Sequence, residues 1–192
     1  MAFHPKRIAV VVTLSLAGVA ATASPAAHET TPCGTLSALR DGGAGVRLGP
    51  HLTTISKIVE RAMPTPTPRR RVTTFQRNVW RVVAQITLYK RGAAGTIRLV
   101  LFDTDTYMVA TMPAPTCLTT PSPARSAALA ARASFIRRCG RPTKDWQPLG
   151  AVAYVSGVGF WSGHPRGLRG AAPNGAQLTP VTSLRFVAGC GA

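Results

Sequence analysis

The stretch that decides the fold is 79–113, VWRVVAQITLYKRGAAGTIRLVLFDTDTYMVATMP. Its first part alternates with a period of two, which is typical of a half-buried strand. The RGAAG segment predicts a turn, and TIRLVLFD predicts a second strand. A third strand, TYMVATMP, follows the Asp-Thr-Asp turn at 103–105 and ends at prolines. We expect these residues to face inward: Trp80, Val82, Ala84, Ile86 and Leu88 on the first strand, and Ile97, Leu99 and Leu101 on the second.

A helix and two more strands are predicted after this meander. Ser122 is a good N-cap, Pro123 suits the first helical position, and Gly140 marks the end. The fourth strand is LGAVAYVSGVGFW, in which Gly157 and Gly159 predict a bulge or a sharp bend. The fifth is AQLTPVTSLRFV, in which Pro180 predicts an edge or a bulge. The order β-β-β-α-β-β predicts a mostly β protein with one helix, an OB-like five-stranded barrel preceded by an N-terminal arm.

Residues 1–23 are predicted to be a signal peptide. Lys6 and Arg7 precede a short apolar run, and Ala21-Thr22-Ala23 fits a cleavage site. The run is shorter than the roughly 20 residues that a bilayer span needs, and an uncleaved anchor is the alternative. We therefore expect a secreted mature chain that begins at Ser24 and carries no membrane span.

Residues 24–75 are predicted to form an N-terminal arm and Pro-rich linker, and 76–192 the barrel domain. The segments DGGAGVRLG and MPTPTPRRR are rich in Pro and Gly. Between them, HLTTISKIVERAM predicts a helix of about two turns with Ile55, Ile58 and Val59 on one side. Arg69 to Arg71 are read as a solvated linker, with a protease-sensitive site or a phosphate-binding patch as alternatives.

The formal net charge is +17, and it is +15 once Lys6 and Arg7 are removed with the signal peptide. Such a charge attracts polyanions, namely nucleic acid or an anionic envelope polymer. Nineteen of the 23 basic residues are arginines, a bias also typical of GC-rich genomes such as those of actinobacteria. That bias does not explain the scarcity of acidic residues. We expect Arg81, Arg98 and Tyr89 to be exposed on the barrel.

All four cysteines, Cys33, Cys117, Cys139 and Cys190, lie in the predicted mature chain. An even number in an exported protein predicts two disulfides. The sequence contains no CxxC pair, which argues against a zinc knuckle and a thioredoxin-like redox site. The spacing leaves three connectivities open.

Several short motifs together resemble a family of small exported bacterial proteins. They are TPCGT, VAQITLYK, MVATMPAPTC, VSGVGFW with His164 shortly after, and GAAPNGAQLTPV. The resemblance runs from about Cys33 to Val181, and its most specific part is the GVGF…H…G…APNG pattern. It implies that Cys33 and Cys117 form the regular pair, and that Cys139 pairs with Cys190 as an addition.

The chain departs from the family pattern at polar positions. The family carries an acidic residue and a histidine where this chain has GTIRLVL, and an aspartate where Ser162 stands. It carries Glu-Leu-His-Pro where this chain has Gln-Leu-Thr-Pro at 177–180. Only His164 and Asn174 are retained from that polar set, so the resemblance implies that any metal or acid–base site is lost.

No catalytic, cofactor or metal residues are predicted. The sequence of the mature chain shows no zinc-ligand cluster, no GxSxG motif and no carboxylate in an apolar context. We interpret Asp103-Thr104-Asp105 as a hairpin turn rather than a cation site. The long loop after the fourth strand is the candidate ligand-binding region, and the alternative is that its tryptophan packs in the core. The candidate residues are Trp161, His164, Arg166, Arg169, Asn174 and Arg98.

We therefore expect a protein that binds rather than catalyses, with a polyanion as its ligand. The alternative is a metal-dependent phosphodiester hydrolase on a nuclease-like OB barrel, degenerate in this chain. A third possibility is an envelope-interaction protein without a small ligand.

Overall fold

The computed structural model describes Cys33 and residues 45–68, 70–118, 121–163 and 167–191. The predicted signal peptide lies outside these residues. Over the described ranges the chain is mostly β, with one six-stranded sheet and three α-helices. These are the five strands, the arm helix and the long helix expected, together with one further strand and one further short helix. The strands are β1 (Arg47–Leu52), β2 (Asn78–Arg91), β3 (Ile97–Asp103), β4 (Thr106–Met112), β5 (Gln147–Trp161) and β6 (Ala176–Ala188). The helices are α1 (Ile55–Val59), α2 (Thr74–Arg77) and α3 (Pro123–Cys139).

Five of the strands pair in a closed ring. The pairing runs from β2 through β3, β4, β6 and β5 and returns to β2. All neighbours in the ring are antiparallel except β4 and β6, which are parallel. Strand β1 adds to the ring by parallel pairing with the first residues of β2.

Strand β2 follows the predicted alternation until a bulge reverses it. Trp80, Val82, Ala84 and Ile86 are buried, as expected. The register then shifts between Ile86 and Leu88 against both β3 and β5. The bulge adds one residue, so the next inward side chain is Tyr89 and not Leu88. The expectation that Tyr89 is exposed is therefore wrong.

Tyr89 belongs to the core. Its ring packs edge-on against Phe135 of α3 at a centroid distance of 5.4 Å, and its hydroxyl donates to the Cys139 carbonyl at 3.5 Å. Only 6% of the residue is exposed. This contact fixes α3 over one end of the ring.

The β3–β4 hairpin confirms the predicted meander. Ile97, Leu99 and Leu101 are completely buried. Asp103 pairs with Thr106 across a tight turn in which Thr104 has a positive φ of 61°. The Asp103 and Asp105 carboxylates accept from neighbouring threonine hydroxyls, which is the turn chemistry expected of this segment.

Helix α3 begins and ends where the sequence indicates. The Ser122 hydroxyl accepts from the Arg125 amide at 3.1 Å, and Pro123 occupies the first turn. Gly140 ends the helix with a φ of 87°, which favours glycine. Ala124, Ala128, Ala131 and Phe135 form the buried face.

Strands β5 and β6 are irregular at the glycines and at the proline. The register between them shifts at Gly157 and again before Gly159. No described partner faces Pro180, because Gly157 pairs with Val181 and Gly159 with Leu178. The proline lies in a bulge, which is one of the two outcomes expected for it.

Part of the predicted arm contributes to the ring's core. Ile55 and Ile58 of α1 and Phe75 of α2 belong to the main cluster of buried residues. Helix α2, which was not predicted, has a capping box in which Thr73 and Gln76 bond reciprocally. Strand β1 was not predicted either, because all six of its residues are exposed and show no alternation.

The arginine run at 69–71 is not a uniformly solvated linker. Arg71 is 6% exposed and donates to the Gln76 carbonyl at 3.1 Å, while Arg70 is exposed. Arg69 lies outside the described residues. The buried guanidinium supports the backbone that leads into α2, so the expectation is corrected for Arg71.

Two disulfides join Cys33 to Cys117 and Cys139 to Cys190, which confirms the pairing implied by the resemblance. The first ties a residue far before β1 to the end of the segment after β4. The second ties the end of α3 to the chain just after β6. Two disulfides are consistent with an exported protein.

Candidate functional site

The long loop between β5 and β6 is closed at its base. The Ser162 amide and hydroxyl both donate to the Gly175 carbonyl at 2.9 Å. Two tight turns, from Leu168 to Ala171 and from Ala172 to Gly175, shape its second half. His164 and Arg166, two of the candidate residues, lie outside the described part of this loop.

Asn174 fastens the loop to α1. Its amide nitrogen donates to the carbonyls of Ile58 and Arg61, both at 3.0 Å, and its side-chain oxygen accepts from the Ala176 amide at 3.0 Å. The Ile58 carbonyl also accepts from the Arg61 amide at 3.2 Å, so Asn174 adds a second donor there and supplies one to the Arg61 carbonyl just after α1. The asparagine side chain is thus occupied by structural contacts.

Trp161 packs in the core. It is 3% exposed, and its ring lies 4.7 Å from that of Phe75. This is the alternative considered for it above, and the buried ring offers no face to a ligand in this conformation.

The second half of the loop covers the outer face of β3. Val100 points away from the inward residues Leu99 and Leu101, yet it is only 1% exposed. Gly170 explains this, because a Cβ added there would overlap both methyl groups of Val100. Its positive φ of 71° also favours glycine.

This packing places the loop segment that contains one candidate arginine beside the strand that carries another. Arg98 lies two residues from Val100 on β3, a separation of about 7 Å along a strand. Arg169 is next to Gly170 in the loop and is exposed. Of the candidate residues within the described ranges, Arg98 and Arg169 thus belong to segments that lie next to each other.

A larger group of cations surrounds Arg98. Lys90 is directly opposite it in the β2–β3 register, and both face outward because their neighbours Tyr89 and Leu99 are buried. Like charges directly opposite each other on a sheet are destabilising. The Lys90 ammonium also lies 4.8 Å from the ring centroid of Trp146, a cation–π distance.

The segment after α3 joins this group through the backbone. The Arg91 amide donates to the Thr143 carbonyl at 2.6 Å, and the Thr143 amide donates to Gln147 Oε1 at 2.7 Å. Arg141 and Lys144 flank Thr143 and are exposed. We call the resulting set the basic surface; its members are Lys90, Arg98, Arg141, Lys144 and Trp146.

Little negative charge offsets this surface. Asp145 is the single acidic residue between Thr106 and Ala192. The basic surface combines cations with an aromatic ring, the arrangement that proteins use to hold phosphate backbones and stacked bases.

Sequence reasoning found Arg98 but missed the rest of the basic surface. The signal for part of it was present in RRCGRPTKDW at 137–146, where four cations precede one acid and a tryptophan. Lys90 joins through the pairing of β2 with β3 and could not be assigned from local sequence.

One partly buried arginine, Arg132, makes structural contacts with backbone carbonyls. Arg132 of α3 donates to the carbonyls of Met112 at 3.1 Å, Pro113 at 3.4 Å and Gly95 at 2.8 Å. Burial lowers the pKa of its guanidinium. Arginine nevertheless stays protonated at physiological pH, so these bonds persist.

The described residues include no group of three or more His, Cys, Asp or Glu side chains that could hold a metal ion. The hydrolase alternative therefore has no metal-ligand set within those ranges.

Within the same part of the chain, no helix combines the length and apolarity that crossing a bilayer requires. Neither a scan against models of protein families nor a search of curated proteins found a match for this chain.

Proposed function

We propose that this chain is an exported, disulfide-stabilised protein that binds a polyanion through the basic surface. The ligand class is nucleic acid or an anionic envelope polymer. The observation that carries the proposal is the outward-facing Lys90–Arg98 pair on adjacent strands, with Trp146 beside it. Two like charges held opposite each other cost stability in the free protein, and a bound phosphate chain removes that cost.

The ring supports an OB-like barrel as the scaffold. Its pairing order, with one long helix between the third and fourth ring strands, fits that architecture. OB folds bind oligonucleotides and oligosaccharides on the face of their second and third strands and in adjoining loops. Here those strands are β3 and β4, and the loop covers Val100. The accessible part of the face is the end that carries Arg98.

A salt titration with single-stranded DNA tests the proposal. We expect binding to weaken steeply with added salt, because counterions must return to the released phosphates. The double variant Lys90→Gln/Arg98→Gln should bind at least tenfold more weakly at low salt. Its slope of log K against log salt should be smaller by about 1.4, since each lost phosphate contact contributes about 0.7 for single strands.

A matched control removes the same charge elsewhere. Arg47 pairs with Asn78 at the opposite end of β2, and Lys57 lies on α1; both are exposed. Arg47→Gln/Lys57→Gln should retain most of the affinity. Equal losses in the two double variants would show that binding follows net charge alone and would refute the basic surface.

The same samples separate binding from hydrolysis. Under the proposal, the DNA keeps its length on prolonged incubation with Mg²⁺ and with a chelator alike. Shortening that the chelator prevents would favour the hydrolase alternative.

A further inference from the structure

A second concave site lies apart from the basic surface, between β1 and α3. It is a cavity of about 130 Å³ that opens to solvent. Its floor is formed by β2 and β5, one wall by β1, and the other walls by α3 and β6. The lining residues are Leu48, Pro50, Val79, Arg81, Ala127, Ser156, Thr182 and Ser183.

Arg81 is the one charged residue among those that line the cavity. Its Nε donates to Ser156 Oγ at 3.0 Å, which orients the guanidinium. The two terminal nitrogens of Arg81 have no hydrogen-bond partner among the described residues. Ser156 is 2% exposed, so the bond that fixes the arginine is protected from solvent.

Hydroxyl groups lie beside this arginine because of the strand register. Arg81 pairs with Ser156, and Ser156 pairs with Ser183 on the next strand, so these three residues form one row across the sheet. Ser183 is exposed at the mouth of the cavity. The row therefore supplies a fixed cation and a hydroxyl donor on the same side.

The rest of the lining is largely apolar. Leu48 and Pro50 come from β1, Val79 from β2 and Ala127 from α3. A cavity of roughly 150 Å³ is known to hold benzene, so this volume accommodates about five or six non-hydrogen atoms. A planar carboxylate matches the two free nitrogens of a guanidinium, and a short hydrocarbon chain matches the walls.

We propose that this cavity binds a short-chain monocarboxylate. The carboxylate accepts from both terminal nitrogens of Arg81 and from the Ser183 hydroxyl, and the chain contacts Leu48, Val79 and Ala127. This activity is independent of polyanion binding, because none of these residues belongs to the basic surface.

The test is a titration of the ¹⁵N-labelled protein with n-butyrate, followed by NMR. We expect saturable shifts of the Ala127 and Ser183 amides and of the Arg81 Nε–H. n-Butanol and n-butylamine, which keep the chain and lack the carboxylate, should produce no saturable shift at equal concentration. Inorganic phosphate, which lacks the chain, should bind at least tenfold more weakly than butyrate.

Variants locate the site. Arg81→Gln should weaken butyrate binding at least tenfold, because the bidentate charge-assisted pair is lost. Arg185→Gln is the matched control; Arg185 lies two residues from Ser183, stacks on Tyr154 at 4.1 Å and does not line the cavity. Ala127→Leu should also abolish binding by filling the cavity while Arg81 is retained.

Thermal unfolding of each variant verifies that it is folded. If Arg81→Gln does not fold, loss of butyrate binding in Ala127→Leu still tests the cavity. Three results would overturn the proposal: equal binding of butyrate and phosphate, equal losses in Arg81→Gln and Arg185→Gln, or unchanged binding in Ala127→Leu.

Discussion

Gly159 lies where β5 meets the backbone of α2 without space for a side chain. A Cβ at this position would overlap both the Phe75 carbonyl oxygen and the Phe75 ring. That carbonyl also accepts from the Trp80 indole at 2.9 Å. The glycine thus permits a contact that orders two aromatic side chains of the core.

We predict that Gly159→Ala lowers the free energy of unfolding by about 1–3 kcal/mol, because the added methyl group forces Phe75 to move. Gly49→Ala is the control, since a Cβ there meets nothing within 4 Å. It should change stability by less than about 0.5 kcal/mol. Urea denaturation measures both. Equal stability of the two variants would contradict the close approach at Gly159.

At the scale of elements, Arg132 joins α3 to β4 and to the turn between β2 and β3. Its three carbonyl acceptors are at Met112, the last residue of β4, at Pro113 just after it, and at Gly95 before β3. Arg132→Met keeps the apolar length of the side chain but removes the donors. We predict a loss of about 1–3 kcal/mol, because carbonyls are left without partners.

Arg137→Met serves as the control for Arg132, because Arg137 is exposed on the same helix. Its effect should stay within about 0.5 kcal/mol. Denaturant titrations at neutral pH compare the two. If the two variants lose equal free energy of unfolding, the cause is the loss of charge from α3 and not the loss of the carbonyl bonds.

The Cys139–Cys190 disulfide ties the last strand to the helix. The second half of β6 pairs with β5 alone, since its pairing with β4 involves only Gln177 and Leu178. Replacing both cysteines with serine should lower stability by about 2–4 kcal/mol by freeing the unfolded chain. Limited proteolysis should then begin at the C-terminal end of β6.

The ring should survive this change, because its core of Trp80, Ile86, Leu99 and Leu101 does not depend on the disulfide. Far-UV circular dichroism measures whether the strands persist, and mass spectrometry of the proteolytic fragments identifies the first cleavage site. Cleavage that starts before β1 instead would contradict the role assigned to this bond. The Cys33→Ser/Cys117→Ser variant supplies the comparison.

At the scale of the whole molecule, the charge of +17 makes the folded chain repel itself. We predict that the melting temperature rises as NaCl increases from about 10 to 200 mM, because screening shortens the reach of this repulsion to roughly 10 Å near 0.1 M. Each kcal/mol gained corresponds to about 2–4 °C for a chain of this size. Calorimetry at increasing NaCl concentration measures the melting temperature and tests this prediction.

The Lys90→Gln/Arg98→Gln variant should show a smaller rise, because it lacks the opposed pair on β2 and β3. A melting temperature that falls with salt would mean that attractive charge pairs dominate, contrary to the prediction.

Local sequence predicted most elements of the ring. Period-two alternation located β2, β3 and β4, and the capping residues at Ser122 and Gly140 set the limits of α3. These signals are short-range, so they can be read without knowing the partners of each segment. The position of Tyr89 could not be read this way, since a bulge defined by two neighbouring strands reverses its direction.

The candidate site was predictable only in part. Arg98 and Arg169 were chosen from charge; Arg98 lies on β3, and Arg169 adjoins the loop glycine that packs on that strand. Trp161 and Asn174 were chosen from the same loop, but they are occupied by Phe75 and by the carbonyls at the end of α1. A polar or aromatic residue in a loop looks the same in sequence whether it serves a ligand or the backbone.

The sequence by itself determined the charge, the presence of two disulfides, and the order of the five ring strands and the long helix. The tertiary structure decided which surface carries the charge: pairing of β2 with β3 places Lys90 opposite Arg98, and the Arg91–Thr143 hydrogen bond brings in the segment after α3. It also decided that Gly170 covers Val100 and that Arg81 lines a cavity. The physical reason is that propensity and periodicity act over a few residues, whereas a binding surface is defined by contacts between residues far apart in the chain.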